Sequence, residues 1–256
     1  MAWQVTQLKK VPKLKDSIFV EGLPGIGNVG KIAIDFVIDQ LKPVEIYDFY
    51  SHSMPHSVFV NKDSLVELPK IRMYALKRGR KPDLVIMSGD IQPIDEISSH
   101  EFVETVLAMS KELGIKSIIT LGGIGMSQFP KDPHVYITGN SKEAVNAFAD
   151  KTTRRSLVGV VGPIVGVTGL MIGLAGKQKM PAIAYLVESF AHPLHVGTAE
   201  ARVLLELLDR KLQLGLKLKE YDKSIAELEK AVRSKIKEME LTPTPLRQNK
   251  ETSYIG

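Results

Sequence analysis

Short apolar runs alternate along this chain with segments whose apolar positions recur every three or four residues. Ser17-Ile18-Phe19-Val20-Glu21-Gly22 reads as a buried strand. A Gly/Pro turn follows, then Ile32, Ile34, Phe36, Val37, Ile38 and Leu41 predict a helix over Lys31 to Leu41 that Pro43 stops. Val44 to Phe49 is the next predicted strand, and Val58-Phe59-Val60 and Leu65-Val66-Glu67-Leu68 predict a hairpin joined by Asn61-Lys62-Asp63. The cycle then repeats with strand Asp83 to Gly89, an amphipathic helix His100 to Leu113, strand Ser117 to Leu121, strand Val135 to Gly139 and a helix from Ser141 to Asp150. Strand Ala182 to Glu188 and a helix from Gly197 to about Leu214 complete it. Buried strands alternating with helices predict an α/β fold: a three-layer core whose mostly parallel sheet is covered on both faces.

The segment Ser156 to Gly176 interrupts this pattern, since it carries no charged residue and is long enough to cross a bilayer. Six glycines and Pro163 divide it, so Leu157 to Pro163 reads as a buried strand closing on a Gly-Pro turn, with a helix restarting near Val167. No membrane partner is expected. Beyond Tyr221 the pattern changes again: Tyr221, Ile225, Leu228, Val232, Ile236 and Met239 step by three or four among Lys and Glu. The predicted organisation is a core over residues 1–218, an amphipathic helical arm over 219–241, and a flexible tail over 242–256 that begins at Thr242-Pro243-Thr244-Pro245. The apolar stripe of the arm must pack on the body or on another subunit.

Composition narrows the chemistry. The chain has no cysteine, which removes disulfides, thiolate metal sites and cysteine nucleophiles and suits a reducing cytoplasm. The start at Met1 lacks the basic and apolar regions of a secretory signal, so a cytoplasmic protein is expected. The net charge of +5 is spread among acids except at Lys77-Arg78-Gly79-Arg80-Lys81, a solvated loop by this reading, and no nucleic-acid partner is expected.

Gly25-Ile26-Gly27-Asn28-Val29-Gly30 matches the dinucleotide fingerprint between strand and helix, and Asp48 ends the next strand at a plausible distance for a ribose contact. A tight strand-to-helix crossover selects the same glycines without any ligand. Gly122-Gly123-Ile124-Gly125 takes the equivalent place after another strand, which favours glycine crossovers as an architectural device. If both loops open on one sheet edge, Gly25, Gly27, Gly30, Gly122, Gly123 and Gly125 would flank a crevice fit for a small ligand. No resident cofactor is expected. His52 with His56, and His192 with His195, lack metal-ligand spacing. Ser189 near His192 lacks the G-x-S-x-G context of a nucleophile, and Asp95 with Glu96 read as helix-start acids, so neither catalysis nor a metal is expected.

Four motifs in this order, Val20 to Gly30, Gly89-Asp90-Ile91-Gln92-Pro93, Leu121 to Gly125 and Glu188-Ser189-Phe190-Ala191-His192-Pro193, resemble the archaeal members of the proteasome assembly chaperone family, relatives of its second eukaryotic chaperone subunit. The resemblance spans about Ser17 to Leu214. It implies an α/β core similar to purine nucleoside phosphorylases, no catalysis, homo-oligomers, and ATP-independent binding of proteasome core subunits of the outer ring. It also draws attention to the end of the chain, Ser253-Tyr254-Ile255-Gly256, beside the hydrophobic-Tyr-any motif by which some partners enter pockets of that ring. Tyr254 stands third from the end and Ser253 precedes it, so the register departs from the motif. Tyr254, Ile255 and Gly256, with Tyr221, Ile225, Leu228, Val232 and Ile236 of the arm, are the expected protein-binding residues. The alternative is a nucleoside- or nucleotide-binding enzyme using the two glycine loops.

Overall fold

The computed structural model describes residues 3–157, 159, 162–193 and 195–227. The chain opens with strands Trp3–Gln7 (β1) and Ile18–Gly22 (β2), then helix Val29–Leu41 (α1) and strand Val44–Ser51 (β3). A short hairpin of Phe59–Val60 (β4) and Val66–Glu67 (β5) leads to strands Ile71–Leu76 (β6) and Leu84–Gly89 (β7) and helix Glu96–Glu112 (α2). Strands Ser117–Met126 (β8) and Val135–Gly139 (β9) follow, with helix Lys142–Phe148 (α3) and strand Thr153–Arg154 (β10). Helix Val167–Lys177 (α4), strand Ala182–Phe190 (β11) and helix Thr198–Leu212 (α5) end the series.

Among the described residues a 9-stranded sheet runs in the order β1-β3-β6-β7-β2-β8-β11-β9-β10. Its centre, β7-β2-β8-β11, is parallel. Toward one side β6, β3 and β1 pair antiparallel, and on the other side β9 pairs antiparallel with β11. The expected mostly parallel sheet is therefore a mixed one, because the segments leading into β6 and β9 return the chain without a crossover helix, whereas α1 carries it across to β3 in the same direction as β2. The pleat sends Phe19 to the face where Phe102, Val106 and Met171 of α2 and α4 pack. Val20 and Gly22 turn to the other face, where Gly22 lies against Ile34 of α1 and α1 packs beside α5.

Two strands carry no strong signal in the sequence. Ile71–Leu76 alternates buried and half-buried positions, Ile71, Met73 and Ala75 facing in. Trp3–Gln7 is held through Trp3, whose ring lies 4.6 Å from Phe102 and whose indole N–H donates to Ser98 O at 2.9 Å. The helix expected from His100 starts a turn earlier, with the Asp95 carboxylate accepting from Ser98 N at 2.8 Å as N-cap and Glu96 in the first turn. Ser141 caps α3 in the same way. Of the buried strand expected over Leu157 to Pro163, the described residues Leu157, Gly159, Gly162 and Pro163 lie in loop, with Gly159 and Gly162 exposed, while Val158, Val160 and Val161 fall outside the described residues. The helix after it begins at Val167 as expected, and among the described residues no helix is long and apolar enough to cross a membrane.

The basic cluster is largely exposed, as expected of a solvated loop, and it has a structural job as well. Arg78 donates to Leu212 O at 2.7 Å and Lys81 to Gln213 O at 2.7 Å, placing positive charge at the negative end of α5. Asp83 anchors the same loop. Burial alone would push its carboxyl up, but Lys77 and the Arg78 and Lys15 N–H groups hold it below the ordinary range.

Gly122 to Gly125, expected as a second crossover, continues β8, paired with Leu186 to Ser189 of β11. Its glycines serve another purpose. A Cβ at Gly123 would sit 2.5 Å from Ile26 O, and one at Gly30 would sit 2.7 Å from Leu121 O. The turn before α1 thus lies directly on β8 with backbone against backbone.

The chain divides into two compact units, Met1–Leu218 and Lys219–Gly256. In the second, residues 219–227 are helical and carry Tyr221 and Ile225. Leu228, Val232, Ile236, Tyr254, Ile255 and Gly256 lie outside the described residues.

Gly123→Ala is expected to lower stability by about 1–3 kcal/mol, since a strand backbone has to move to admit the methyl group. Gly173→Ala, on the exposed side of α4 with nothing near its Cβ position, should raise stability by about 0.5–1 kcal/mol. Thermal melts of the two variants check both signs, and equal melting temperatures would contradict the close approach.

Candidate functional site

The four central strands all run the same way and end at Gly89, Gly22, Met126 and Phe190 on one edge of the sheet. Because β6 is antiparallel to β7, Ile71 stands opposite Gly89, and Phe49 near the end of β3 stands opposite Ile71. The insertion between β3 and β6, with the β4–β5 hairpin, therefore rises from this same carboxyl edge. The Gly25 to Gly30 turn, the loop before α2, the loop between β8 and β9, the loop before α4 and the loop after β11 gather there as well. That is where an open α/β sheet offers its crevice.

A crevice of about 460 Å³ opens at this edge, and both glycine segments line it: Gly25 and Gly30 from the turn, and Gly122, Gly123 and Gly125 from β8. Gly27 lies beside it, in a smaller hollow with His192 and His195. Ile164 and Val165 from the loop before α4, with Gln92 and Thr168, close the crevice, and no charged side chain lines it. The Gln92 carbonyl accepts from Val167 N at 3.3 Å, which joins the loop after β7 to the start of α4. Asp48 does not reach this place. Its strand is separated from β2 by β6 and β7, and its carboxylate is taken by Arg72 at 3.3 Å. A dinucleotide site needs that acid on the neighbouring strand.

Beneath the crevice Glu21 is fully buried, with no cation against it among the described residues. Burial pushes its carboxyl up to about 7, and the Leu23 N–H at 2.8 Å and the Thr168 hydroxyl at 3.5 Å pull only weakly the other way.

The histidines are dispersed by the fold. His52 stacks edge-on with Tyr50 and lines a shallow hollow with His56, and His192 lies flat on Phe190. Among the described residues no group of three His, Asp or Glu side chains is placed to hold a metal ion. The Ser189 hydroxyl and His195 Nε2 both donate to Glu200 Oε1, at 3.2 and 2.7 Å. The serine meets a carboxylate and no base, so the trio fastens the loop after β11 to the first turn of α5. Gly197 N donates to Gly27 O at 2.8 Å and ties that loop to the glycine turn. Glu188 is a second fastening. Burial pushes its carboxyl up, but the His134 ring and N–H and the Tyr136 hydroxyl hold it below the ordinary range.

What the sequence reading passed over is the distribution of bare apolar side chains. Among the described residues every large hydrophobic that is exposed, apart from Leu8 and Val44, lies on this carboxyl edge. Val58, Phe59, Val60, Leu65, Val66 and Leu68 are on the hairpin; Ile94 and Ile97 precede or begin α2; Ile26, Phe129, Val165 and Val196 sit on the surrounding loops. A concentration of this kind marks an interaction surface. The one available signal was the hairpin itself, which lacks the apolar–polar alternation of a strand with one face in water.

Fold and edge together define a mixed α/β protein with a one-sided apolar binding face. The model of the PAC2 family matches residues 19–239, and the chain belongs to that family. It is of the archaeal kind. It is 27% identical to an uncharacterized protein of Methanocaldococcus jannaschii over 98% of this chain and 96% of that one. Among solved structures it is similar to Pyrococcus furiosus PbaB, described as an archaeal proteasome activator, with a TM-score of 0.80 and 28% identity over 91% of this chain and 98% of that one. Pyrococcus furiosus PbaA, described as an archaeal homolog of a proteasome-assembly chaperone, shares the fold with a TM-score of 0.72 and 23% identity over 92% and 93%.

Glu21 supplies a pH dependence of definite sign. An unfolded glutamate releases its proton near 4.5, whereas the folded chain keeps it until about 7, so a folding penalty grows over that interval and levels off above it. A gap of that size corresponds to a penalty on the order of 3 kcal/mol. Glu21→Gln removes the charge while keeping the shape, and its stability relative to the parent chain should rise between pH 5 and about pH 7 and level off toward pH 8. Urea unfolding of both proteins across that range checks it, and a difference independent of pH would contradict the assignment.

Proposed function

We infer that the protein is an ATP-independent, homo-oligomeric binding factor that engages outer-ring subunits of the proteasome core, as an assembly chaperone or activator. The observation that carries this reading is the apolar carboxyl edge, on a chain of the PAC2 family similar over most of its length to a protein described as a proteasome activator. We take the core as a purine nucleoside phosphorylase-like body turned from small ligands to protein surfaces. The turn that such an enzyme would spend on a ligand is occupied here by β8, and the acid at Asp48 is engaged elsewhere by Arg72.

In this reading the C-terminal residues Tyr254, Ile255 and Gly256 contribute an aromatic, an aliphatic and a free carboxylate to a pocket on the partner, a mode of capture that needs few residues. The arm stripe of Tyr221, Ile225, Leu228, Val232 and Ile236 contributes to association between copies. Several tails on one oligomer would then raise the apparent affinity for a ring that repeats its pockets.

Removal of Tyr254 to Gly256 should weaken co-sedimentation with proteasome outer-ring subunits by about tenfold or more, the loss expected for one anchoring side chain and its carboxylate. Unchanged binding would remove the tail from the interface. Separately, Leu228→Glu combined with Val232→Glu should reduce the oligomer mass in light scattering. An unchanged mass would mean that the stripe packs within its own subunit.

A further inference from the structure

The edge of the sheet opposite the crevice collects lysines that the sequence keeps apart. Residues 9–16 leave β1 beside β3, where Leu8 N donates to Ile46 O at 2.8 Å, and run along the ends of β6 and β7 to the start of β2. This strap is fixed to the edge. Val11 and Leu14 pack against the core, Lys77 Nζ donates to Lys13 O at 2.6 Å, and Lys15 N donates to the Asp83 carboxylate at 2.8 Å. Lys9, Lys10, Lys13 and Lys15 are left exposed along it. Lys116 joins them from the loop before β8, its N–H donating to Ser17 O at 2.8 Å, and Arg80 joins them from the loop that Lys77, Arg78 and Lys81 tie down.

Lys42 and Lys77 on this edge are paired with Asp39 and Asp83, but among the described residues none of the six exposed cations has an ion pair. Against them stand two exposed acids, Asp16 in the strap and Glu112 at the end of α2. The row crosses from β3 to β8, four strand spacings in the order of the sheet, and is roughly 19 Å long. Among the described residues Leu8 and Val44 are the large hydrophobics exposed here, and neither is aromatic. A protein interface needs buried anchors at its centre, where lysine is scarce. Single-stranded nucleic acid needs exposed rings for its bases to stack on. Separate, unpaired ammonium groups on a fixed strap suit a polyanion met through its backbone. Duplex DNA presents a phosphate about every 3.4 Å along each strand, so an edge of this length faces about six phosphates of one strand, one for each cation.

We propose that this amino edge of the sheet binds the phosphate backbone of duplex DNA without reading its sequence. The basic residues look dispersed along the chain, which argued against such a partner. The strap, the loop between β6 and β7 and the loop before β8 meet only once the strands are aligned, and the charge gathers with them. The contact lies at the other end of the sheet from the apolar edge and does not rest on the proteasome reading.

The test uses the full-length chain and a fluorescein-labelled DNA duplex of about 20 base pairs, with binding read by anisotropy from about 50 to about 200 mM salt. Affinity should fall with a slope of about −4 in logarithmic form, as four or five phosphates shed their counterions. Lys10→Gln, Lys13→Gln and Lys15→Gln together should weaken binding about tenfold or more at the lower salt and make the slope shallower by about 3, with the melting temperature unchanged. Arg80→Gln with Lys116→Gln, outside the strap, should act in the same direction. Lys62→Gln, Lys131→Gln and Lys151→Gln together remove the same charge from exposed positions away from this edge and should leave affinity and slope as they were. Three results would each overturn the proposal: no binding of the duplex by the parent chain at about 50 mM salt, a control triple that loses as much as the strap triple, or displacement of the duplex by poly-glutamate at equal charge, which would assign the edge to an acidic protein. No proteasome subunit enters the experiment, so its failure leaves the proteasome reading standing, and the converse holds.

Discussion

The contact on which the rest of the molecule depends is the one between the turn before α1 and the middle of β8. Ile26 O lies so close to Gly123, and Gly30 so close to Leu121 O, that no side chain fits between two backbone segments. This approach sets where α1 begins and how it lies over β2 and β8. It also leaves Ile26 at the rim, and the Gly197 N–H bond to Gly27 O carries the constraint on to the loop after β11 and to α5. One backbone contact therefore positions two neighbouring helices on one face of the sheet and one wall of the crevice.

The same contact explains why a motif with the spacing of a dinucleotide fingerprint does a different job. In a nucleotide site the glycines keep the backbone low so that a pyrophosphate can approach the helix start. Here a strand of the same chain takes that close position. The second requirement, an acid on the adjacent strand, fails through topology: after α1 the chain passes to the antiparallel side of the sheet, and Asp48 ends beyond β6 and β7 in a pair with Arg72. Glu21 sits under the crevice with no cation against it among the described residues, held by the Leu23 N–H and the Thr168 hydroxyl.

Much of this architecture was legible in the sequence because the central strands are buried on both faces and read as unbroken apolar runs. β2, β7, β8 and β11 and the helices between them stand within a few residues of expectation, and the order of the four motifs identified the family. The outer strands were harder for a physical reason. Trp3–Gln7 buries one tryptophan and leaves most of the rest in water, and Ile71–Leu76 hides its alternation behind Arg72 and Tyr74. Gly122 to Gly125 misled because glycine usually ends a strand, whereas in β8 it admits a neighbouring backbone, a property of tertiary contact that no local pattern encodes. Leu157 to Gly162 misled in the opposite way, apolar enough for a strand yet broken by glycine with positive φ at Gly159.

The binding face was least legible, and the reason bears on its function. Exposure belongs to side chains whose neighbours have been used up elsewhere, and it appears only when the sheet direction of every strand is known. Because β3 ends on the carboxyl edge and β6 starts from it, a hairpin far from the glycine turn in sequence rises on the same edge, and apolar residues from six separate loops share one surface. An apolar surface of this extent lowers solubility when it stays uncovered. Among the described residues the far edge exposes two large hydrophobics, Leu8 and Val44. The asymmetry sets the two ends of the sheet apart: among the described residues one meets water with polar side chains, and the other exposes a continuous run of apolar ones.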